Sequence, residues 1–160
     1  MPMLPKDIAM KTNFDFESLQ AAGSAVGSGG CMVFDDTTDI VQVCEVIARF
    51  YKNESCGKCV PCRIGTDFLH KIIHRITQGH GRMEDIELLK GICVNLGGEK
   101  MMDSRSFCPL GDAAAWPIMW GGLKHFEHEF EYWIRNKRSP VGAEYGYPSA
   151  AAARRELVTA

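Results

Sequence analysis

The sequence predicts a mainly α protein: a four-helix bundle preceded by a small mixed α/β segment. Three observations lead there. Four stretches between Thr37 and Asn136 repeat apolar residues at helical spacing. The connections between them are short except for residues 97–110, as expected of helices that lie side by side. The first 36 residues are glycine-rich and hold too few large apolar side chains to bury a core of their own. Three parts are therefore expected: residues 1–36 as a linker segment, 37–136 as the helical domain, and 137–160 as a flexible tail.

Within the first part, "NFDF" alternates apolar and polar residues, "ESLQAA" suits a helical turn, and "GSAVGSGG" is a turn cluster. "CMVFDD" reads as a short strand. The first long helix follows "DDTTD", which offers several N-cap side chains. Its apolar face is Ile40, Val43, Cys44, Ile47, Phe50 and Tyr51. In the second helix Pro61 suits the first position. Ile64, Phe68, Ile72 and Ile76 then recur every four residues, with Leu69 and Ile73 widening the stripe. "GHGR" ends that helix. Ile86, Leu89, Cys93 and Leu96 mark the third, and Gly97-Gly98 supplies its stop. The fourth begins near Asp112 and should bend at Pro117 and Gly121-Gly122. It resumes with Leu123, Phe126, Phe130, Trp133 and Ile134 on one face. In the tail, "AAAARREL" could form a helix on a partner.

Composition narrows the class. The net charge of −2 gives no electrostatic reason to bind nucleic acid or an anionic membrane surface. The opening "MPMLPKDIAMKTNF" has neither the apolar core nor the cleavage site of a secretion signal. The longest apolar run, Ala113 to Leu123, is too short to span a bilayer and contains Pro117. The chain is expected to be soluble, without direct membrane insertion.

Seven cysteines are an odd number, and with no export signal they argue against a disulfide framework. Some are expected to ligate metal. "ESCGKCVPCRIG" sets Cys56, Cys59 and Cys62 three residues apart, and "RSFCPLGD" brings Cys108, followed by Pro109, from far along the chain. A cubane of iron and sulfide has four iron corners, each needing a thiolate. A tight loop with cysteines three apart can wrap three corners, and the fourth ligand arrives from elsewhere, often followed by proline. The second helix would aim its N-terminus at that loop, which favours an anionic cluster by about 0.3–1 kcal/mol. Lys58 and Arg63 add positive charge there and are expected to raise the potential.

Other readings carry less. Zinc also takes four cysteines, but its structural sites usually draw them as two C-x2–4-C pairs. A thioredoxin-type C-x-x-C needs a βαβ context, which is missing from the pattern. Cys44 and Cys93 fall on apolar helical faces and read as packing residues, and Cys31 is read the same way. "GSGG" lacks the spacing of a phosphate cradle. The pairs His70/His74 and His125/His128 lie in no H-E-x-x-H or E-x-x-H motif, so a solvated or partner-facing role is expected.

"FYKNESCGKCVPCRIGTDFL" and "FCPLGDAAAWP", with the later "GGLKHFEHEFEYWI", resemble the C-terminal iron–sulfur region of the F subunit, the NADH-binding flavoprotein, of respiratory complex I, NADH:quinone oxidoreductase. Diaphorase subunits of NAD-linked hydrogenases and formate dehydrogenases belong to the same group. The resemblance covers roughly residues 13 to 136. It implies that Cys56, Cys59, Cys62 and Cys108 bind a [4Fe-4S] cluster, and that residues 1–36 are a remnant of a preceding β-rich domain. It further implies electron transfer from NADH-reduced FMN towards clusters of a neighbouring polypeptide, within a complex in the cytoplasm or on the cytoplasmic side of the membrane. The family's FMN- and NADH-binding domain is outside the region of resemblance, so no FMN or NADH ligand is assigned, and the chain alone is not expected to turn over. A zinc-stabilised interaction bundle is the reading from a different class.

Overall fold

The computed structural model describes residues 2–99 and 103–141. Among these residues all regular structure is helical, with no strand. Two short helices come first, α1 (Lys6–Ala9) and α2 (Phe16–Ala21). Asp15 caps α2, its carboxylate accepting the Ser18 N–H at 2.6 Å. This helix covers most of the expected "ESLQAA" turn. The strand expected at Cys31–Asp36 does not form, and with it goes the mixed α/β character of the N-terminal segment. Those residues are exposed coil, with Val33 91% exposed. A strand needs a ladder partner for its backbone groups, and none stands beside this stretch among the described residues. Cys31 is exposed as well, contrary to the packing role expected of it.

Helix α3 spans Ile40–Glu54, and of the cap candidates in "DDTTD" it uses Asp39, whose Oδ1 accepts the Gln42 N–H at 2.9 Å. It buries Ile40, Val41, Cys44 and Ala48, while Phe50, expected on the inner face, is 56% exposed. Helix α4 spans Val60–Thr77 with Cys59 at its N-cap, so Pro61 takes the second helical position rather than the first. The side of α4 that meets α3 and α5 centres on Leu69, Ile73 and Ile76. Burying each of these stabilises the fold by about 1.5–3 kcal/mol. Ile72 is buried with them, but the row through Ile64 and Phe68 rotates onto the exposed flank.

Helix α5 (Glu84–Gly97) buries Ile86, Leu89, Cys93 and Leu96 as expected and stops at the predicted glycines. A continuous run follows: α6 (Leu110–Trp116), a π-helical segment (Pro117–Leu123) and α7 (Lys124–Asn136). The expected bend is this π segment. Pro117 has no N–H to give to the α-helical ladder, and the hydrogen bonding widens by one residue. Gly122 is required there by proximity: a Cβ would stand 2.7 Å from the Cys44 sulfur of α3. A second irregularity falls at Phe126, with φ −129 and ψ 24. Beyond it α7 buries Phe130, Trp133 and Ile134.

Neighbouring helices pack side by side along the chain, so the helical core has two ends. At one, the start of α3, the end of α4, the start of α5 and the end of α7 meet. Asp39 Oδ2 accepts the Trp133 indole N–H at 2.8 Å and also the Ser139 hydroxyl. Ile40 N–H donates to Glu129 Oε2 at 3.1 Å, and Arg75 pairs with buried Asp85. Ser139, in the segment assigned to the tail, is thus buried against the cap of α3. The "AAAARREL" expectation lies outside the described residues. Among the described residues no helix is long and apolar enough to cross a membrane.

Candidate metal centre

At the other end, α3 finishes and α4 begins with one tight loop between them. Gly57 turns it at φ 74, a left-handed conformation that costs glycine little. Arg63, in the first turn of α4, reaches back and donates from Nη1 to the Gly57 carbonyl at 2.7 Å. Expected only to add charge, Arg63 also pins the loop. Lys58 is exposed at the loop's tip. Cys59 and Cys62 are buried at the mouth of α4, and Cys56 is exposed beside them. The first N–H groups of α4 have no partners within the helix and face this loop.

Cys108 arrives on the segment leading into α6. That segment is stitched to the end of α5: the Arg105 N–H donates to the Leu96 carbonyl at 3.3 Å, and the Ser106 Oγ lies 3.4 Å from the same oxygen. Its position brings it to the first loop. Hydrogen bonding from the Phe107 backbone, the largest cause, with further bonds from the Cys62 backbone and the Ser106 hydroxyl, holds the Cys59 thiol below its ordinary range against the opposing effect of burial. Burial pushes the Cys62 thiol up. The Ser55 hydroxyl, 3.3 Å from its sulfur, counters this, while the charges of Cys59, Cys108 and Cys56 add to it. Three predicted residues and the distant fourth therefore act on one another electrostatically. Sequence reasoning missed Ser55, Ser106 and the Phe107 backbone as donors to sulfur. Ser55 and Ser106 do lie within two residues of a cysteine.

Cys44 and Cys93 lie buried in the hydrophobic core, in the packing role expected of them, and burial pushes both thiols above their ordinary range.

The donor set suits a [4Fe-4S] group better than one ion. A zinc ion at about 2.3 Å from each sulfur would draw its thiolates to within about 4 Å of one another. Among the described residues, the trio of possible ligand atoms within 4.8 Å of one another is Glu45, His70 and His74, not a set of cysteines. Thiols standing wider apart, with N–H and hydroxyl donors turned towards them, match what a larger anionic cluster needs.

Fold and donor set together define a mainly helical protein of the metal-centre class. A comparison with known families narrows it: residues 42–133 match the NADH-ubiquinone oxidoreductase-F iron-sulfur binding region, and the chain belongs to that family. All four cysteines, 56, 59, 62 and 108, lie inside the match. The chain is 40% identical over 131 residues to the NADH-quinone oxidoreductase F subunit of Rickettsia bellii, covering 82% of this chain and 30% of the relative. To the F subunit of Rickettsia typhi it is 39% identical over 136 residues, covering 85% and 30%. A solved NAD+-reducing [NiFe]-hydrogenase superposes with a TM-score of 0.58 at 30% identity, over 81% of this chain and 21% of that one. The chain thus spans about 30% of the length of the curated relatives it matches.

Proposed function

We propose that Cys56, Cys59, Cys62 and Cys108 hold one [4Fe-4S] cluster, and that the chain is the electron-transfer module of an NADH:quinone oxidoreductase F subunit. The observation that carries this reading is the approach of the 106–108 segment to the first cysteine loop, with the Phe107 backbone and Ser106 hydroxyl bonded to the Cys59 sulfur. Bound there, the cluster supplies one-electron transfer, taking electrons from NADH-reduced FMN and passing them to clusters of a neighbouring polypeptide.

The chain's own residues hold and tune. The Ser55 and Ser106 hydroxyls and the Phe107 N–H stabilise negative charge on sulfur, and the N-terminus of α4 does the same from below. Lys58 and Arg63 add positive charge. All of these favour the more negative, reduced state and so raise the potential. Leu110 and the buried face of α6 keep water from the inner side. The four long helical runs form the bundle that carries the cluster, residues 1–36 lead into it, and past Lys137 the chain stays docked at Ser139 against the cap of α3. Turnover with NADH requires the flavin- and NADH-binding part and other subunits of the complex, in the cytoplasm or against the cytoplasmic face of the membrane.

The likeness to the NAD+-reducing hydrogenase favours one second reading, the same module within a hydrogenase diaphorase. Co-purifying subunits separate the two. The direct test is anaerobic reconstitution of the chain, followed by iron and sulfide counting and EPR of the reduced sample. About four irons per chain and a [4Fe-4S] signal are expected, both lost in Cys108→Ser. Zinc without sulfide, or an unchanged spectrum in Cys108→Ser, overturns the assignment.

A further inference from the structure

His70 and His74 lie one turn apart on α4, and α3 presents Glu45 to the same spot. A solvated or partner-facing role was expected of the two histidines; in the structure they also contact each other and Glu45. His74 Nδ1 is 2.7 Å from Glu45 Oε1, and the other carboxylate oxygen accepts the Thr77 hydroxyl at 2.6 Å. The two rings stack nearly parallel, with centroids 5.7 Å apart. His70 Nδ1 is buried and has no hydrogen-bond partner. One potential ligand atom from each of the three residues lies within 4.8 Å of the other two.

We infer that Glu45, His70 and His74 form a second metal site, separate from the thiols, that takes a divalent transition ion of the zinc type. Two imidazoles and a carboxylate are a zinc donor set that leaves the fourth position to water. Imidazole selects zinc, copper or nickel over magnesium and calcium, which prefer all-oxygen surroundings. The ion takes the place of the proton that His74 and Glu45 now share, and Thr77 stays bonded to the carboxylate as the outer partner that orients it. Burial, then the positive Lys52 nearby, hold the His70 ring below its usual range. Lys52 itself is bound to Asp67 at 2.8 Å, which draws its charge away from the site. Along α4, His70 and His74 stand about 12–18 Å from Cys62, too far to share a ligand shell with it. An ion held there bridges α3 and α4.

The test is zinc titration of the full, cluster-reconstituted chain in its oxidised state, with ring-13C-labelled histidine followed by NMR. The five histidines report separately. The His70 and His74 signals are expected to shift together at micromolar zinc, while those of His80, His125 and His128 stay in place and magnesium has no effect. His70→Ala removes a ring whose Nδ1 bonds nothing, and should weaken the zinc-induced shift of His74 by at least about tenfold. The unmoved signals of the other histidines check its fold. Glu45→Gln is expected to weaken binding similarly. Signals of His70 and His74 unmoved at about 1 mM zinc, equal shifts with magnesium, or an unchanged His74 response in His70→Ala would each overturn the site.

Discussion

The two ends of the helical core handle polar groups in opposite ways. At the end where α3 starts and α7 finishes, every strong group named there meets a partner from another element: Asp39 takes Trp133 and Ser139, Glu129 takes the Ile40 N–H, and Asp85 takes Arg75. At the cysteine end the donors turn towards sulfur, and beside the exposed Lys58 and Arg63 two large apolar side chains stay open, Val60 at 58% and Phe107 at 86%. The first end closes on itself. The second leaves its polar donors facing the thiols, as the cluster proposed there requires. Stability and function are thereby separated along the length of α4, about 27 Å for its 18 residues.

Substitutions at each end can break or sharpen that contrast. The largest effect is expected from Trp133→Ala, which empties a site only 1% exposed and strips Asp39 of its indole partner. Removal of such a residue costs about 3–5 kcal/mol, or roughly ten degrees or more in Tm. Iron content per folded chain should stay unchanged, and a parallel loss of iron would show the ends to be coupled.

A smaller effect comes from Glu129. Burial pushes its carboxyl up to about 7. A raised carboxyl pKa contributes stability that is complete below its unfolded value near 4.5 and is lost as pH rises through about 7. Glu129→Gln keeps an oxygen for the Ile40 N–H and should flatten the fall of Tm between those values. A slope identical to that of the parent chain would place the titration elsewhere.

The smallest is Lys58→Glu at the open end. Lys58 is exposed, so water screens it. The midpoint from redox-titrated EPR should fall modestly while Tm holds. A rise would contradict the electrostatic role given to this residue.

Much of this was legible in the sequence, though unevenly. The stripe of α5 matches its buried side, since the apolar row at helical period is the row its neighbours cover. On α3 and α4 the same reasoning put Phe50, Ile64 and Phe68 inside. Periodicity finds an apolar row, but which row turns inward depends on where the neighbouring helices stand. The strand at Cys31–Asp36 failed for a related reason: β-propensity describes a willingness to pair, and pairing needs a second strand. The contacts of His70 and His74 escaped the sequence because Glu45 is a neighbour only in space.

By itself the sequence determined the local matters: the helices, the irregularity at Pro117, the spacing of Cys56, Cys59 and Cys62, and the packing role of Cys44 and Cys93 on apolar faces. These depend on residues a few positions apart, whose geometry the backbone sets directly. Only the tertiary structure decided that the segment carrying Cys108 docks beside that loop, that Ser106 and Phe107 bond to Cys59, and that Glu45 meets two histidines of the next helix. Those juxtapositions arise from helix packing, where one rotation of a buried stripe changes every distant neighbour at once.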